Sequence, residues 1–246
     1  MRRRVHCCFT SRESSKALGP AVVCLSLLAS CSSPHAAYEA ERRRMVMDQI
    51  EARGVGEPRV LSALREVPRH LFVPPSEKAN AYEDRPLPIG YGQTISQPYI
   101  VALMTELARP EPGDRALEVG TGSGYQAAIL GRLVRAVYTV EIIEPLGREA
   151  GLRLDGLGFS NVFVKVGDGY RGWPEAAPFD IILVTAAPEK VPPPLIDQLK
   201  PGGRMVIPVG AVSDVQSLQL IQKDAAGRIE SRNVLPVRFV PLTRSP

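Results

Sequence analysis

Short apolar runs alternate with amphipathic stretches along the chain from residue 115 onward. Apolar runs of this length predict β-strands, and intervening segments with apolar residues at helical spacing predict α-helices. The predicted strands are Arg115–Val119, Ala136–Glu141, Asn161–Val166, Phe179–Val184 and Met205–Val209. The predicted helices are Tyr125–Leu133, Pro145–Leu157 and the short segment Leu195–Leu199. Because strands that are apolar on both faces need cover on both sides, this pattern indicates a mostly parallel, doubly wound α/β sheet.

Different patterns flank this region. Ser217–Gln222 and Ile229–Val234 are separated by an Asp-Ala-Ala-Gly turn, which predicts an antiparallel C-terminal hairpin. Upstream, Glu39–Arg53 and Glu57–Val67 predict amphipathic N-terminal helices, and Gly54 is expected to stop the first of them. The chain therefore has an α/β centre with N-terminal helices and an antiparallel C-terminal edge.

The segment Leu87–Pro98 is rich in Gly and Pro, and we assign it no strand. At its end, Ser96 is placed to cap a helix that continues from Tyr99 to Leu107. Pro98 fits the first turn of that helix, where a missing N–H costs nothing.

The first 35 residues do not resemble the rest. Arg2 to Arg4 form a basic start, an apolar run covers Ala21 to Ala29, and Leu28–Cys31 resembles a lipoprotein-processing site. We interpret residues 1–35 as a signal-like extension and residues 36–246 as the folded domain. A disordered extension and a misassigned start are the alternatives.

Charge and cysteine usage narrow the function of the folded domain. The first 44 residues hold eight basic and three acidic residues, so the remainder, with 22 basic and 23 acidic residues, is nearly neutral. A neutral domain argues against a nucleic-acid partner. All four cysteines lie in the first 31 residues, and His70 is the one histidine after residue 36. We therefore expect no metal centre and a structural role for His70, and the absence of an 18-residue apolar run predicts no transmembrane helix.

Leu117–Tyr125 is the most informative segment, because it ends a predicted strand in a glycine-rich turn that opens a helix. Glycines accept φ > 0 and let a ligand approach the backbone. Glu141 ends the next strand, where a carboxylate binds ribose hydroxyls in nucleotide-binding folds. Tyr125 stands where a dinucleotide motif needs its third glycine, and Glu118 would repel a pyrophosphate. A nucleoside that carries an ammonium or sulfonium group is favoured, and a purely structural turn is the alternative.

With these motifs, the chain resembles the protein-L-isoaspartate O-methyltransferase family over about residues 38–242. The most specific matches are Gly92–Pro98 and Leu117–Tyr125. Further matches are Gly167–Gly169, Pro178–Asp180, Thr185–Pro188, Gln198–Gly203 and Arg238–Leu242. The resemblance implies a class I methyltransferase fold that uses S-adenosyl-L-methionine (SAM), with residues 36–246 as the methyltransferase domain. It implies methylation of the α-carboxyl group of L-isoaspartyl residues, which starts their repair through a succinimide.

The resemblance also implies roles for individual residues. Ser96 becomes the catalytic residue, whose hydroxyl orients the attacking carboxylate; a plain helix cap is the alternative. The implied cofactor-binding residues are Gln93, Thr94, Glu118, Gly120, Gly122, Ser123, Gly124, Glu141, Asp168 and Gly169. Glu118 is expected near the methionine end of SAM, Glu141 at the ribose, and Asp168 with Gly169 at the adenine. For Glu141 a solvated strand end, and for Asp168 a simple turn residue, are the alternatives.

Partners and location follow from the same resemblance. The expected partners are isoaspartyl proteins and peptides, without nucleic acid, and the expected state is a monomer. Because SAM is made in the cytosol, the chemistry favours a cytoplasmic location; export with a lipid anchor at Cys31 is the alternative. Two other functions compete: a non-enzymatic protein that binds SAM or isoaspartate, and a nicotinamide oxidoreductase, against which Tyr125 argues.

Overall fold

Nine strands are present in the computed structural model, which describes residues 34–211 and 213–244. They are β1 (Leu87–Gly90), β2 (Gln93–Ile95), β3 (Arg115–Val119), β4 (Ala136–Glu141), β5 (Val162–Val166), β6 (Phe179–Val184), β7 (Leu199–Val209), β8 (Gln216–Lys223) and β9 (Ile229–Val237). The α-helices of the described residues are α1 (Pro34–Arg44), α2 (Pro58–Glu66), α3 (Pro98–Ala108), α4 (Tyr125–Gly131), α5 (Glu144–Gly156) and α6 (Pro193–Gln198). The processing site predicted at Cys31 lies outside the described residues, and the boundary at residue 36 stays a prediction.

Seven strands form one sheet in the order β5-β4-β3-β6-β7-β8-β9. The pairs among β3 to β7 are parallel, and β8 and β9 pair antiparallel at one edge. The predicted α/β class, with a mostly parallel sheet and an antiparallel C-terminal hairpin, is confirmed. The chain builds outward from β3 to β5 and then crosses back to β6, so the strand order reverses beside β3. Ligands of open α/β sheets bind at the carboxyl ends of strands where the order reverses.

Each face of the sheet packs into its own apolar cluster. In β6, Ile181 and Leu183 enter the cluster that contains the N-terminal helices, α3 and α4. Phe179, Ile182 and Val184 enter the cluster on the other side, together with residues of α6 and β7. Side chains alternate between the faces of a strand, so a run that is apolar throughout is what a sheet covered on both sides requires.

The N-terminal helical segment differs in detail from the prediction of one helix. After α1 it continues as a π-helical turn, Met45–Ile50, and a 3₁₀ turn, Glu51–Arg53, before Gly54 ends it with φ +92°. The wider π-helical turn brings residues five apart onto one face. Met45 and Ile50 therefore both lie fully buried in the core. In an α-helix, with 3.6 residues per turn, side chains five positions apart point in clearly different directions.

Candidate active site

A cavity opens at the carboxyl ends of β3 and β4, next to the point where the strand order reverses. Its lining includes all but two of the predicted site residues. The exceptions are Gly124 and Asp168. The lining residues come from β2, from the turn after β3, from the end of β4, and from the segment Val240–Thr243 near the C-terminus. The fold thus collects into one place residues that are about 150 positions apart in the chain.

The glycine turn after β3 needs its glycines for two reasons. Gly120, Gly122 and Gly124 have φ of +99°, +53° and +89°, values that other residues adopt only with strain. A Cβ atom at Gly120 would lie 2.5 Å from Thr185 Oγ1. Gly124 begins α4 as its N-cap, and a Cβ there would lie 3.1 Å from Leu154. Gly124 thus does not line the cavity, but it shapes the turn and lets the turn pack closely on α5.

Glu118 is a fully buried carboxyl group in this cavity. One oxygen accepts a hydrogen bond from Thr139, whose hydroxyl also lies 2.7 Å from that of Thr121. The other oxygen, Oε1, has no hydrogen-bond partner within the described residues. Burial is the main reason why the pKa of Glu118 rises to about 8; the nearby Glu141 raises it further, whereas Thr139 and the amide of Ala127 oppose the shift. A ligand that places a positive charge next to this carboxyl group would therefore favour its ionised form.

Glu141 is held in a different way at the end of β4. Its Oε2 accepts from the amide of Gly122 at 2.8 Å, and its Oε1 accepts from the amide of Ile143 at 3.0 Å. The residue is 6% exposed. Each carboxylate oxygen has a second lone pair, so both can accept from a ligand while they keep their backbone donors. The solvated strand-end alternative does not describe this position.

Asp168 and Gly169 have separate roles. Asp168 Oδ1 accepts from the amide of Tyr170 at 2.9 Å and caps the 3₁₀ turn Gly169–Arg171. Gly169 is buried and lines the cavity, and a Cβ atom there would lie 2.5 Å from Val119 Cγ1. Asp168 thus forms the turn and does not line the cavity, whereas the backbone of Gly169 does; the contact of Asp168 with adenine stays a prediction.

The hairpin of β1 and β2 contributes residues of β2 to the cavity lining and was not predicted from the sequence. Its tight turn has three successive residues with positive φ, Gly90, Tyr91 and Gly92. Ile89 on β1 packs near the glycine turn, because a Cβ at Gly122 would lie 3.3 Å from its Cδ1. The Gly-Tyr-Gly sequence was the signal for a turn, but the flanking strands are only four and three residues long, which is too short for a period-2 pattern.

A second, wider cavity of about 460 Å³ adjoins the first. It shares Thr94, Ser96, Thr185 and Val240 with the first cavity. Its charged lining residues are two arginines, Arg53 and Arg238, and its further lining includes Tyr99, Ile100, Leu235 and Phe239. Ser96 consequently stands where the two cavities meet.

Ser96 does not cap α3 as predicted. The N-cap is Gln97, and no side chain of the cap residue bonds to the helix. Pro98 has no N–H to be capped, and the amide of Tyr99 is instead reached by Asp84 Oδ1, at 3.4 Å. The Ser96 hydroxyl makes no hydrogen bond to another described residue and is available to a ligand. The two cavities have no His, Lys or Cys among their lining residues, so nothing there activates Ser96 as a covalent nucleophile.

His70 lies away from both cavities. It is buried, its ring stacks on Tyr38 with centroids 4.0 Å apart, and its Nδ1 lies 2.7 Å from the hydroxyl of Tyr82. These contacts fit the structural role expected of it.

A family model for protein-L-isoaspartate(D-aspartate) O-methyltransferase matches residues 40–246. The chain belongs to this family. Protein-L-isoaspartate O-methyltransferase 2 of Polaromonas sp. strain JS666 is 64% identical over 187 residues, which cover 76% of this chain and 89% of the relative. The protein-L-isoaspartate O-methyltransferase of Opitutus terrae is 53% identical over 224 residues, 89% of this chain and 96% of the relative.

Solved structures of this methyltransferase family share the fold. One protein-L-isoaspartate O-methyltransferase superposes with a TM-score of 0.73 at 32% identity; the match covers 81% of this chain and 65% of the other. A Plasmodium falciparum protein of the same name, in complex with S-adenosyl-L-homocysteine, gives a TM-score of 0.72 at 24% identity, over 83% of this chain and 99% of the other. The resemblance noted in the sequence is confirmed by these relatives.

Within residues 34–211 and 213–244, no group of three or more His, Cys, Asp or Glu is arranged to hold a metal ion. Over the same part of the chain, no helix is both long and apolar enough to cross a membrane.

Proposed function

We propose that this chain transfers the methyl group of SAM to the α-carboxylate of L-isoaspartyl residues in proteins and peptides, the activity after which its family is named. The amide nitrogen of the following residue then attacks the methyl ester, methanol leaves, and the resulting succinimide hydrolyses in part to a normal aspartyl residue. One observation carries the assignment of the site: Ser96 lines both the cavity that holds the predicted cofactor residues and the wider second cavity, which we assign to the peptide.

The residues of the first cavity fit SAM chemically. Glu118 Oε1 and Ser123 Oγ are buried polar atoms without partners among the described residues, and such atoms are normally satisfied by a ligand or water. We assign Glu118 to the positive methionine end, Glu141 to the ribose hydroxyls, and Asp168 with Gly169 to the adenine edge. The glycine turn allows close backbone approach. Gln93 and Thr94 on β2 line the passage towards the second cavity.

The free volume of the first cavity sets a further condition. It amounts to about 70 Å³, whereas pockets for small molecules typically measure ~300–1,000 Å³. The hairpin of β1 and β2 contributes residues of β2 to the lining of this cavity and has few strand hydrogen bonds to lose. We infer that this hairpin moves outward when SAM enters.

The chemistry requires little from the protein beyond positioning. A carboxylic acid with a reference pKa near 4 is an anion at neutral pH, so it needs no general base to act as nucleophile. SAM supplies a methyl group on a positively charged sulfur, and the opposite charges of donor and acceptor cancel as the methyl group moves. Ser96 donates a hydrogen bond that orients the attacking carboxylate, and the hairpin excludes water. Alignment and desolvation are then the main sources of rate acceleration.

Methyl transfer from radiolabelled SAM tests this proposal. The full chain is incubated with an isoaspartyl peptide and with its normal aspartyl twin, and Ser96→Ala is measured beside the unaltered chain. We expect label on the isoaspartyl peptide alone and a strongly lowered rate for Ser96→Ala. If SAM binds but neither peptide is labelled, the acceptor assignment is wrong and a binding protein or another acceptor replaces it.

We further propose that the protein acts in the cytoplasm as a monomer. The support is chemical: its methyl donor is made in the cytosol. Labelling of the full chain with radioactive palmitate in its own host decides between this location and a lipid anchor. Label that disappears in Cys31→Ser would establish the anchor. Light scattering of the purified chain gives the oligomeric state.

A further inference from the structure

Arg69 is a fully buried guanidinium that the sequence analysis did not single out. It is 0% exposed, and no carboxylate of the described residues forms a salt bridge with it. Its Nε donates to the carbonyl of Ala81 at 2.8 Å and its Nη2 donates to the carbonyl of Ser96 at 2.7 Å, while Nη1 has no hydrogen-bond partner among the described residues. Burial lowers the pKa of Arg69 to about 10, so the group is still charged at neutral pH. A buried charge that makes no salt bridge is costly, and the charge of Asp84, which acts on Arg69 from a longer distance, opposes the effect of burial on its pKa only in part.

The position of Arg69 suggests what the charge does. Its guanidinium lies 4.9 Å from the centre of the Tyr125 ring, and Tyr125 is the first residue of α4, directly after the glycine turn. Arg69 thus connects the backbone of Ser96 to the turn that shapes the cofactor cavity. An aromatic face attracts a cation, which makes this connection energetically favourable as well as direct.

Asp84 holds the same loop from its other end. Its Oδ2 accepts from Gln97 Nε2 at 2.7 Å, and the same oxygen is 2.6 Å from Arg53 Nη1. Its Oδ1 reaches the amide of Tyr99 at 3.4 Å. The residues directly after Ser96 are therefore fixed by a carboxylate that lies 12 positions before it in the sequence.

We propose that Arg69 and Asp84 are positioning residues that set the place of Ser96 between donor and acceptor, without touching either. Arg69 fixes the Ser96 carbonyl, and Asp84 fixes the start of α3. This inference rests on the proposed role of Ser96. A misplacement of about 1 Å at a reaction centre costs ~100-fold in rate, so weakening either contact lowers kcat by about 10- to 100-fold. Binding of the cofactor product changes little, since neither side chain lines the first cavity and Arg69→Lys keeps a positive charge next to the Tyr125 ring.

A double-mutant cycle with Ser96 separates positioning from general support of the fold. The variants are Arg69→Lys, Asp84→Asn, Ser96→Ala and the two combinations with Ser96→Ala. For each, kcat and KM are measured with the isoaspartyl peptide, and the Kd of S-adenosyl-L-homocysteine is measured by calorimetry. We expect Arg69→Lys and Asp84→Asn each to lower kcat while the Kd of S-adenosyl-L-homocysteine stays within twofold of that of the unaltered protein. When either is added to Ser96→Ala, kcat should fall by less than about a further twofold.

Arg42 provides a matched control. It is also buried, at 9% exposed, and its Nε donates to a backbone carbonyl, that of Arg65, at 2.5 Å. Because that carbonyl is outside the site, Arg42→Lys leaves kcat within about twofold in the folded protein. If Arg69→Lys does not bind S-adenosyl-L-homocysteine, the test rests on Asp84→Asn, measured alone and combined with Ser96→Ala. Asp84 is partly exposed, so its replacement is tolerated more easily.

The outcomes are distinct. The positioning roles are wrong if each variant lowers kcat by the same factor with and without Ser96→Ala. They are also wrong if kcat is unchanged in both Arg69→Lys and Asp84→Asn. If Ser96→Ala itself retains full activity, the proposed role of Ser96 fails, and this inference fails with it.

Discussion

Replacing Glu118 by glutamine is expected to stabilise the protein, although it removes a residue of the proposed cofactor site. In the native state burial keeps this carboxyl group protonated up to a pKa of about 8, against 4.5 for the free group. Between these values the native state binds a proton that the unfolded chain has released. The stability of the unaltered protein therefore falls as the pH rises through this window. Glutamine, which does not ionise, lacks this dependence.

The size of the effect follows from the pKa shift. One pKa unit corresponds to about 1.4 kcal/mol, so at pH 7 the unaltered protein is destabilised by ~3 kcal/mol relative to a neutral side chain in the same place. Well below pH 4.5, the group is protonated in both states and the difference vanishes. For a chain of this length, ~1 kcal/mol shifts Tm by about 2–4 °C.

The assay is urea unfolding of both proteins at pH values from 5 to 8.5 without SAM. We expect the stability difference between Glu118→Gln and the unaltered protein to grow by ~3 kcal/mol or more over this range. A difference that does not change with pH would mean that Glu118 is ionised in the native protein, and the reasoning from burial would be wrong.

Glu141→Gln is the matched control, because it changes the other carboxylate of the same cavity. Both Glu141 oxygens accept from backbone amides, those of Gly122 and Ile143. An NH₂ group in place of one oxygen faces a donor with another donor. We therefore expect destabilisation of about 1–3 kcal/mol, the opposite sign from Glu118→Gln.

Three further predictions follow from the site. Binding of SAM to the unaltered protein at pH 7 should release close to one proton from Glu118, because a bound cation favours its charged form; calorimetry in buffers of different ionisation enthalpy measures this, and heats that do not depend on the buffer would contradict it. Gly120→Ala should lose more than about 2 kcal/mol and bind SAM weakly, because its Cβ would clash with Thr185; Gly54→Ala, which has similar φ but nothing within 4 Å, should lose less, and equal losses in urea unfolding would refute the steric explanation. Isoaspartyl peptides with a flanking glutamate should have a lower KM than those with a flanking lysine, because arginines are the charged lining of the second cavity, and Arg238→Glu should reduce this preference; a preference that survives the substitution would assign it elsewhere.

The sequence by itself determined the class of fold and the centre of the site. Strands buried on both faces are apolar along most of their length, as Ile181–Val184 of β6 are, and this local requirement is visible without a structure. The glycine turn after β3 and Glu141 at the end of β4 were predictable for the same reason, since parallel strands bring their carboxyl ends to one edge. The resemblance to the family then indicated which reaction these residues serve.

Only the tertiary structure decided what depends on distant parts of the chain. The hairpin of β1 and β2 is too short for a pattern and is stabilised by packing on the glycine turn. Arg69 and Asp84 are ordinary polar residues in the sequence, and their contacts with the Ser96 loop arise from chain segments that meet only after folding. The protonation of Glu118 likewise depends on how completely other elements cover it. Periodicity is a property of neighbouring residues, whereas burial, charge environment and the meeting of two cavities at Ser96 are properties of the whole fold.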